Sequence, residues 1–292
     1  MAGTLNGSYF LRSLDAPDDH DNLEGVITRN PQAVTNHMEL FRGRESGSAR
    51  VGVCSNDKLF RVMDIETQTF VSRQPSVEPC NSSALSKDGR LRAMMGDFTQ
   101  VLIHDANSGT ELQKLSGHRD YGFAAAWSED GWTLATGNQD KTVCIWDSRK
   151  WGDANGNSTP VTTIRSEMAG VRSLRFSPLG SGKPVLVAAE EADFVSIIDA
   201  QTYKSKQTVD VFGAIGGIEF TNEGRDLNVL CSDPSRGALL QFERCGLESE
   251  PLLDIQNELS WGLDSPPIRD PRRPGFSETA RRDLSLNHVD GF

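Results

Sequence analysis

Apolar and polar residues alternate over short segments along most of the chain, which is the pattern of half-buried β-strands. Segments 123–127, 132–137, 142–146 and 161–165 each hold five or six such residues between turn-forming ones. Almost no stretch repeats apolar residues at helical spacing. The pattern therefore predicts an all-β protein built from short strands.

Two landmarks recur along the chain at a nearly constant interval. A hairpin-turn signal ending in glycine returns at spacings of 42, 42, 49 and 44 residues. Glycine suits a turn position that needs a positive φ. An acidic residue that ends an apolar strand returns at spacings of 41, 42, 52 and 44 residues. The glycines are Gly47, Gly89, Gly131, Gly180 and Gly224, and the acids are Asp64, Asp105, Asp147, Asp199 and Glu243.

Four short strands about every 42 residues are typical of a β-propeller blade. The Gly/Asn/Ser-rich stretch 150–160 lengthens one interval and reads as an extended loop. The repeat divides the chain into five units: 34–65, 80–116, 117–165, 166–210 and 211–243.

The stretch GHRDYGFAAAWSEDGWTLATGNQDKTVCIWD, residues 117–147, resembles a WD40 repeat. The resemblance implies that His118 contacts Asp140, and that Thr136 links His118 to the indole of Trp146 inside one blade. A hydrolytic triad would need an exposed nucleophile on a sharp turn, whereas this threonine lies within a strand. The stretch is therefore interpreted as scaffold. At the position of Trp146, the other units have Met63, His104, Ile198 and Phe242.

Further segments are similar to those of an uncharacterised WD-repeat family of fungi and plants. They include EEADFVSIID and FGAIGGIEF, and the likeness covers residues 26–243. This resemblance defines the fold more sharply than the function, because the family has no settled activity.

We therefore expect an all-β, WD40-type β-propeller with about five recognisable blades and a disordered C-terminal tail. Residues 1–33 form a partly disordered lead-in with room for stray strands, 34–245 the blades, and 246–292 a Pro/Arg-rich tail. Such rings usually close with about six to eight blades. Three alternatives stay open: a truncated gene product, an irregularly closed ring, or a partner that fills the gap.

Composition limits the cellular locations and the classes of ligand that the sequence predicts. A formal net charge of −11 argues against nucleic-acid binding, which needs an excess of Lys and Arg. No run of eighteen apolar residues and no secretory signal occur, so the sequence predicts no membrane association and a cytoplasmic or nuclear location. The five cysteines are scattered, which predicts neither disulfides nor a metal site, and no cofactor is expected.

The leading hypothesis is a non-enzymatic scaffold that binds other proteins through the upper-rim loops of the propeller. Exposed aromatic and arginine side chains are the residue types that most often anchor protein interfaces. The alternative is a regulatory subunit controlled by phosphorylation of the tail, with Ser265 of the SPP sequence as the candidate acceptor. The candidate partner-binding residues are Phe98, Arg119, Asp120, Tyr121, Gln139, Glu191 and Phe212.

Overall fold

The structure is a computed structural model that describes residues 2–3, 6–12, 23–30, 33–152, 157–180, 182–235 and 237–243. Within these ranges the regular structure is β-strand, apart from a single 3₁₀ turn at Asn222–Gly224. The all-β prediction is confirmed. In the same ranges no helix is long and apolar enough to cross a membrane.

The strands form antiparallel sheets in chain order, and each sheet starts with the strand nearest the central axis. The N-terminal sheet comprises β1 (Ala2–Gly3), β2 (Ser8–Leu11) and β3 (Leu23–Val26). Blade 1 comprises β4 (Thr35–Arg42), β5 (Ala49–Ser55), β6 (Leu59–Asp64) and β7 (Thr69–Pro75). Blade 2 comprises β8 (Cys80–Leu85), β9 (Leu91–Gly96), β10 (Phe98–Asp105) and β11 (Glu111–Leu115). Blade 3 comprises β12 (Gly122–Trp127), β13 (Thr133–Asn138), β14 (Thr142–Asp147) and β15 (Thr162–Arg165).

Blades 4 and 5 share one long strand. Blade 4 comprises β16 (Val171–Phe176), β17 (Val185–Glu190), β18 (Ala192–Asp199) and the first part of β19 (Lys206–Thr221). The second part of β19 is the inner strand of blade 5, with β20 (Asp226–Cys231) and β21 (Ala238–Phe242). The strand turns from one blade to the next at Phe212, whose φ of 51° lies in the left-handed region.

Apolar side chains fill the spaces between consecutive sheets. Five buried clusters occur, one for each interface between neighbours from the N-terminal sheet to blade 5. Between blades 2 and 3, for example, Met95 and Val101 meet Trp127 and Trp146. Fully burying a side chain of this size stabilises a fold by roughly 1.5–3 kcal/mol. The sheets are therefore held face to face, as in a propeller.

The turn glycines behave as the repeat predicts. All five, from Gly47 to Gly224, have φ between 66° and 84°. One predicted boundary was wrong: the first unit does not end at residue 65, because β7 continues blade 1 to Pro75. The fourth strand of this blade lies at the rim, where one of its sides faces solvent. It therefore contains fewer buried apolar residues, and the sequence pattern did not predict it.

The two ends of the described chain differ from the middle. Blade 5 has three described strands, and the N-terminal sheet has three short ones within the predicted lead-in. Tail residues 246–292, including Ser265, lie outside the described ranges.

Candidate interaction surface

Four connections lie on the same side of the molecule, because each joins the outer strand of one blade to the inner strand of the next. They are residues 76–79, 116–121, 166–170 and 211–214. We call this side, together with the loops between the second and third strand of each blade, the upper face. The connections at the opposite strand ends form the lower face.

In blade 3 four side chains form one chain of hydrogen bonds beneath the upper face. His118 Nδ1 lies 3.2 Å from Asp140 Oδ2, and His118 Nε2 lies 2.9 Å from the Thr136 hydroxyl. The indole N–H of Trp146 donates to the same hydroxyl at 2.9 Å. Because the carboxylate can only accept, Nδ1 carries the imidazole proton and Nε2 accepts from Thr136. The Thr136 hydroxyl is fully buried within its strand and accepts from the indole, so it is not placed as an exposed nucleophile.

The ionisation states suit this network. Burial lowers the pKa of His118 below its ordinary value, and Asp140 offsets only part of that effect. Burial alone would raise the pKa of Asp140, but hydrogen bonds from the Thr142 hydroxyl and the Arg119 backbone N–H, with His118 beside it, bring the pKa below its ordinary range. At neutral pH the pair is therefore a neutral imidazole and a carboxylate.

The network braces the loop that leads into blade 3. The backbone N–H of Arg119 donates to Asp140 Oδ2 at 2.8 Å, and Asn138 Nδ2 donates to the carbonyl of Asp120 at 2.8 Å. The side chain of Tyr121, at the end of this loop, is 48% exposed. The loop thus holds an aromatic side chain toward solvent from a fixed backbone.

A buried carboxylate braces the corresponding loop of blade 4. Glu190, the last residue of β17, accepts the backbone N–H groups of Glu167, Met168 and Ala169 at 2.6, 2.9 and 2.6 Å. Its position in β17 corresponds to that of Asn138 in β13, since both pair with the first residue of the inner strand. Met168, at the tip of this loop, is 49% exposed.

The remaining two loops also carry an exposed apolar side chain. Phe212 is 62% exposed, and its backbone N–H donates to Asp210 Oδ1 at 3.0 Å. Val77 is 82% exposed. In its loop the backbone N–H of Ser76 donates to the carbonyl of Lys58 at 2.8 Å, and Glu78 forms an exposed ion pair with Lys58 at 2.7 Å. All four loops between consecutive blades therefore present one large apolar side chain on the upper face.

The seven candidate residues from the sequence do not share one environment. Arg119, Asp120, Tyr121, Glu191 and Phe212 are exposed, whereas Phe98 and Gln139 are partly buried. A Cβ placed on Gly96 would come within 2.5 Å of the Phe98 ring, so this ring lies over its own blade. Gln139 packs beside Gly170, and its Oε1 is buried without a hydrogen bond among the described residues. These two side chains are therefore less accessible than the other five.

Sequence reasoning missed Val77, Met168 and Glu190. The signal that could have found the first two is positional, because comparing the same inter-blade loop in every repeat shows at least one large apolar residue in each. Glu190 carries no such signal, since its neighbour Glu191 is the same residue type.

Residues at the start of the inner strands surround the upper mouth of a central cavity of about 430 Å³. The guanidinium of Arg172 lies 3.5 Å from the centre of the Phe123 ring and 3.2 Å from Glu191 Oε2. Asn36 and Asn81 occupy the corresponding positions of blades 1 and 2, and each donates to a backbone carbonyl of the next blade. The mouth is thus lined by polar side chains that already have partners within the protein. No group of three or more His, Cys, Asp or Glu side chains in the described ranges could hold a metal ion.

Comparison with known proteins agrees with this architecture. No protein-family model matches the chain. The human intraflagellar transport protein 122 homolog is 36% identical over 72 residues, which are 25% of this chain and 6% of that protein. An uncharacterised WD repeat-containing protein of Schizosaccharomyces pombe is 27% identical over 158 residues, 49% of this chain and 43% of that protein. The chain thus spans less than half of either relative.

Among solved structures, a chain in the crystal structure of the mitotic checkpoint complex superposes with a TM-score of 0.62. The two chains are 19% identical, and the superposed part covers 77% of this chain and 65% of the other. Repeat and strand topology together define the class of fold, a β-propeller, and the relatives show that the chain is similar in sequence to WD-repeat proteins. The likeness extends to uncharacterised fission-yeast proteins, as the fungal resemblance of the sequence predicts.

Proposed function

We propose that the protein is a non-enzymatic scaffold that binds partner proteins through its upper face. The observation that carries this proposal is the row of Val77, Tyr121, Met168 and Phe212, one exposed apolar side chain on each inter-blade loop. Exposed apolar side chains gathered on one face mark interaction sites more often than scattered ones do. Aromatic residues among them are frequent anchors of protein interfaces.

The way these loops are held supports the proposal. Tyr121 follows a loop fixed by Asn138 and Asp140, and Met168 lies on a loop fixed by Glu190. A side chain displayed on a backbone that is already ordered loses little entropy when a partner binds. Asn138, Asp140 and Glu190, which make these hydrogen bonds beneath the upper face, therefore position the exposed side chains.

Charge and surroundings favour protein over nucleic acid as the partner. The chain carries a formal charge of −11, and beside its apolar side chains the upper face has carboxylates such as Asp120 and Glu191 together with the cations Lys58 and Arg119. A surface that mixes apolar groups with charges of both signs suits a polypeptide better than a phosphate backbone. The chain of similar fold comes from a multi-protein complex, and this also supports a binding role.

The four described cysteines, Cys54, Cys80, Cys144 and Cys231, are free and buried. Free thiols are usual in the reducing cytoplasm and nucleus. We infer that the protein works in one of these compartments.

Affinity capture with matched surface variants tests the upper face. Tyr121→Asp combined with Phe212→Asp removes two exposed apolar groups and should reduce the recovery of specific partners by roughly tenfold or more, because hot-spot losses exceed about 2 kcal/mol. Phe212 can accept Asp, which tolerates a left-handed φ. Partners are proteins recovered by the wild type and absent from an unrelated bait.

The control is Val161→Asp combined with Leu179→Asp. These residues are 64% and 76% exposed on the lower face, so the control makes the same chemical change elsewhere. Both double variants should melt within a few degrees of the wild type. If the upper-face variant recovers the same partners as the control, the proposed binding face is wrong.

A further inference from the structure

A cavity of about 200 Å³ lies on the lower face between blades 1 and 2. Residues from three lower-face connections contribute to its wall: 43–48 of blade 1, and 86–90 and 106–110 of blade 2. We call this cavity the arginine pocket, because four arginines line it against two carboxylates, in a chain with a formal charge of −11. The arginines are Arg44, Arg50, Arg90 and Arg92, and the carboxylates are Glu45 and Asp105.

Arg44 extends from blade 1 toward blade 2. Two backbone hydrogen bonds close its loop, from the N–H of Gly43 to the Ser48 carbonyl at 2.9 Å and from the N–H of Gly47 to the Gly43 carbonyl at 2.7 Å. A Cβ placed on Gly89, in the turn of blade 2, would lie 3.3 Å from the Cβ of Arg44 and 3.6 Å from its Cδ. The arginine stem therefore lies on this turn, and its guanidinium belongs to the junction between the two blades.

Three of the four arginines have no carboxylate partner among the described residues. Arg44 and Arg90 are exposed, and within the described ranges their side chains form neither an ion pair nor a hydrogen bond. Arg50 donates only to hydroxyl groups, to Ser48 at 3.3 Å and to Ser46 at 3.2 Å. These guanidinium groups therefore retain most of their capacity to bind an anion.

The carboxylates nearest to these arginines serve the turns in which they lie. Asp88 Oδ1 accepts from the Ser86 hydroxyl at 2.7 Å and from the backbone N–H of Arg90 at 3.0 Å. Asp105 Oδ1 accepts from the backbone N–H of Ser108 at 2.7 Å and from its hydroxyl at 2.8 Å. Both carboxylates attract Arg44 electrostatically, but neither forms an ion pair with it.

Arg92 lies at the buried end of the arginine pocket and is 2% exposed. Its guanidinium carbon lies 4.9 Å from the centre of the Phe41 ring and 4.7 Å from that of Phe60. Its Nη1 donates to Glu39 at 2.6 Å, whereas its Nε is buried without a hydrogen-bond partner among the described residues. A buried donor without a partner is unfavourable, so this end of the pocket favours a ligand that brings acceptors.

We propose that the arginine pocket binds the phosphate group of a ligand. A phosphate group carries up to two negative charges on three acceptor oxygens, and guanidinium groups match these oxygens with paired N–H donors. Arginines from two blades can neutralise two charges, which a single carboxylate does not supply. A water molecule occupies about 30 Å³ in the liquid, so the pocket has room for a phosphate group.

Amide chemical shifts in a phosphate titration of the full chain test the proposal. Inorganic phosphate is the probe, and sodium chloride keeps the ionic strength constant, because screening weakens exposed charges. The amides of residues 43–48 and 86–90 should shift with one saturable curve. Amides of the corresponding turn of blade 5, at residues 222–225, should shift little.

Matched arginine variants assign the binding to the pocket. Arg44→Gln combined with Arg90→Gln should weaken phosphate binding by roughly tenfold or more, since hydrogen bonds to charged groups are lost. Both side chains are exposed, so the variant should fold normally. The control is Arg225→Gln, because Arg225 follows Gly224 as Arg90 follows Gly89 and is also exposed. It should bind phosphate like the wild type.

Two sources can carry the phosphate group, and a second titration distinguishes them. The probe is a synthetic peptide of residues 260–272 with phosphoserine at Ser265, compared with the same peptide unphosphorylated. Binding of the phosphopeptide at least tenfold tighter than that of inorganic phosphate would assign the pocket to a phosphorylated side chain. Binding no tighter than that of inorganic phosphate would assign the pocket to a phosphorylated small molecule.

Three results would overturn the proposal: no saturable shift with inorganic phosphate, equal shifts around Arg225, or wild-type affinity in the double variant. The arginine pocket and the upper face share no residue. The upper-face variants therefore leave the pocket intact, and the two proposals can fail independently.

Discussion

The indole N–H of Trp146 and the hydroxyl of Thr136 form a 2.9 Å hydrogen bond between two neighbouring strands of blade 3. The same hydroxyl lies 2.9 Å from His118 Nε2, and both Thr136 and Trp146 are fully buried. One hydroxyl thus satisfies two buried polar groups that have no access to water.

Thr136→Val keeps the shape of the side chain but leaves both groups without this partner. We expect the free energy of unfolding to fall by about 2–4 kcal/mol, since each unsatisfied buried group costs about 1–3 kcal/mol. Urea denaturation followed by tryptophan fluorescence measures the change. The matched control is Thr99→Val, at an exposed strand position, which should change stability by less than about 0.5 kcal/mol. Equal midpoints for the two variants would contradict the role given to the network.

The His118–Asp140 pair predicts how stability depends on pH. The pKa of His118 is lower in the folded protein than in the unfolded chain, because burial disfavours the charged imidazole. As pH falls through the ordinary pKa of histidine, the unfolded chain binds a proton that the folded protein does not. Stability is therefore fully present above this pKa and is lost as pH falls toward the folded value.

Melting temperatures measured between pH 7.5 and 5 test whether stability falls with pH as predicted. This range extends about one unit or more on each side of the ordinary histidine pKa. The wild type should lose stability across the range, and His118→Gln should lose less because it has one titrating group fewer. The pKa of Asp140 is also lower in the folded protein than in the unfolded chain. At still lower pH, protonation of Asp140 should therefore destabilise the wild type and every variant that retains this carboxylate. A His118→Gln profile parallel to that of the wild type would show that another group sets the slope.

Glu190 and Glu191 offer a test of the loop that carries Met168. Glu190→Ala removes the acceptor of three backbone N–H groups. Hydrogen exchange at Glu167, Met168 and Ala169 should accelerate by roughly 10- to 100-fold, because a hydrogen bond to a charged group contributes about 1.5–3 kcal/mol. Glu191→Ala, next to it but exposed, should leave those amides protected. Equal protection in both variants would mean that Glu190 does not hold the loop.

The sequence predicted the blades well because two strong physical signals coincide. Burial between sheets produces alternating apolar residues, and a tight turn with a positive φ produces a glycine such as Gly131 at a fixed place in each repeat. Around blade 3, the WD40 resemblance also named the residues of a buried network. Strand alternation and turn chemistry are local, so they can be read along the chain.

Features that depend on the neighbouring sheet could not be read in this way. Alternation in β20 does not tell whether another sheet covers Leu230, which is 49% exposed. Phe98 looked like a rim aromatic, yet its ring folds over Gly96. Met168 lies on a loop that Glu190 fixes from below, and this contact leaves no signal in the sequence around Met168.

Site-specific photo-crosslinking tests the central claim, that partners contact the upper face. A photoreactive phenylalanine analogue replaces Met168 in one variant and Leu179 in another, since these exposed apolar residues lie on opposite faces. Irradiation of cells that produce each variant should yield partner adducts from position 168 and few or none from position 179. Adducts from position 179 alone, or equal yields from both positions, would contradict the account.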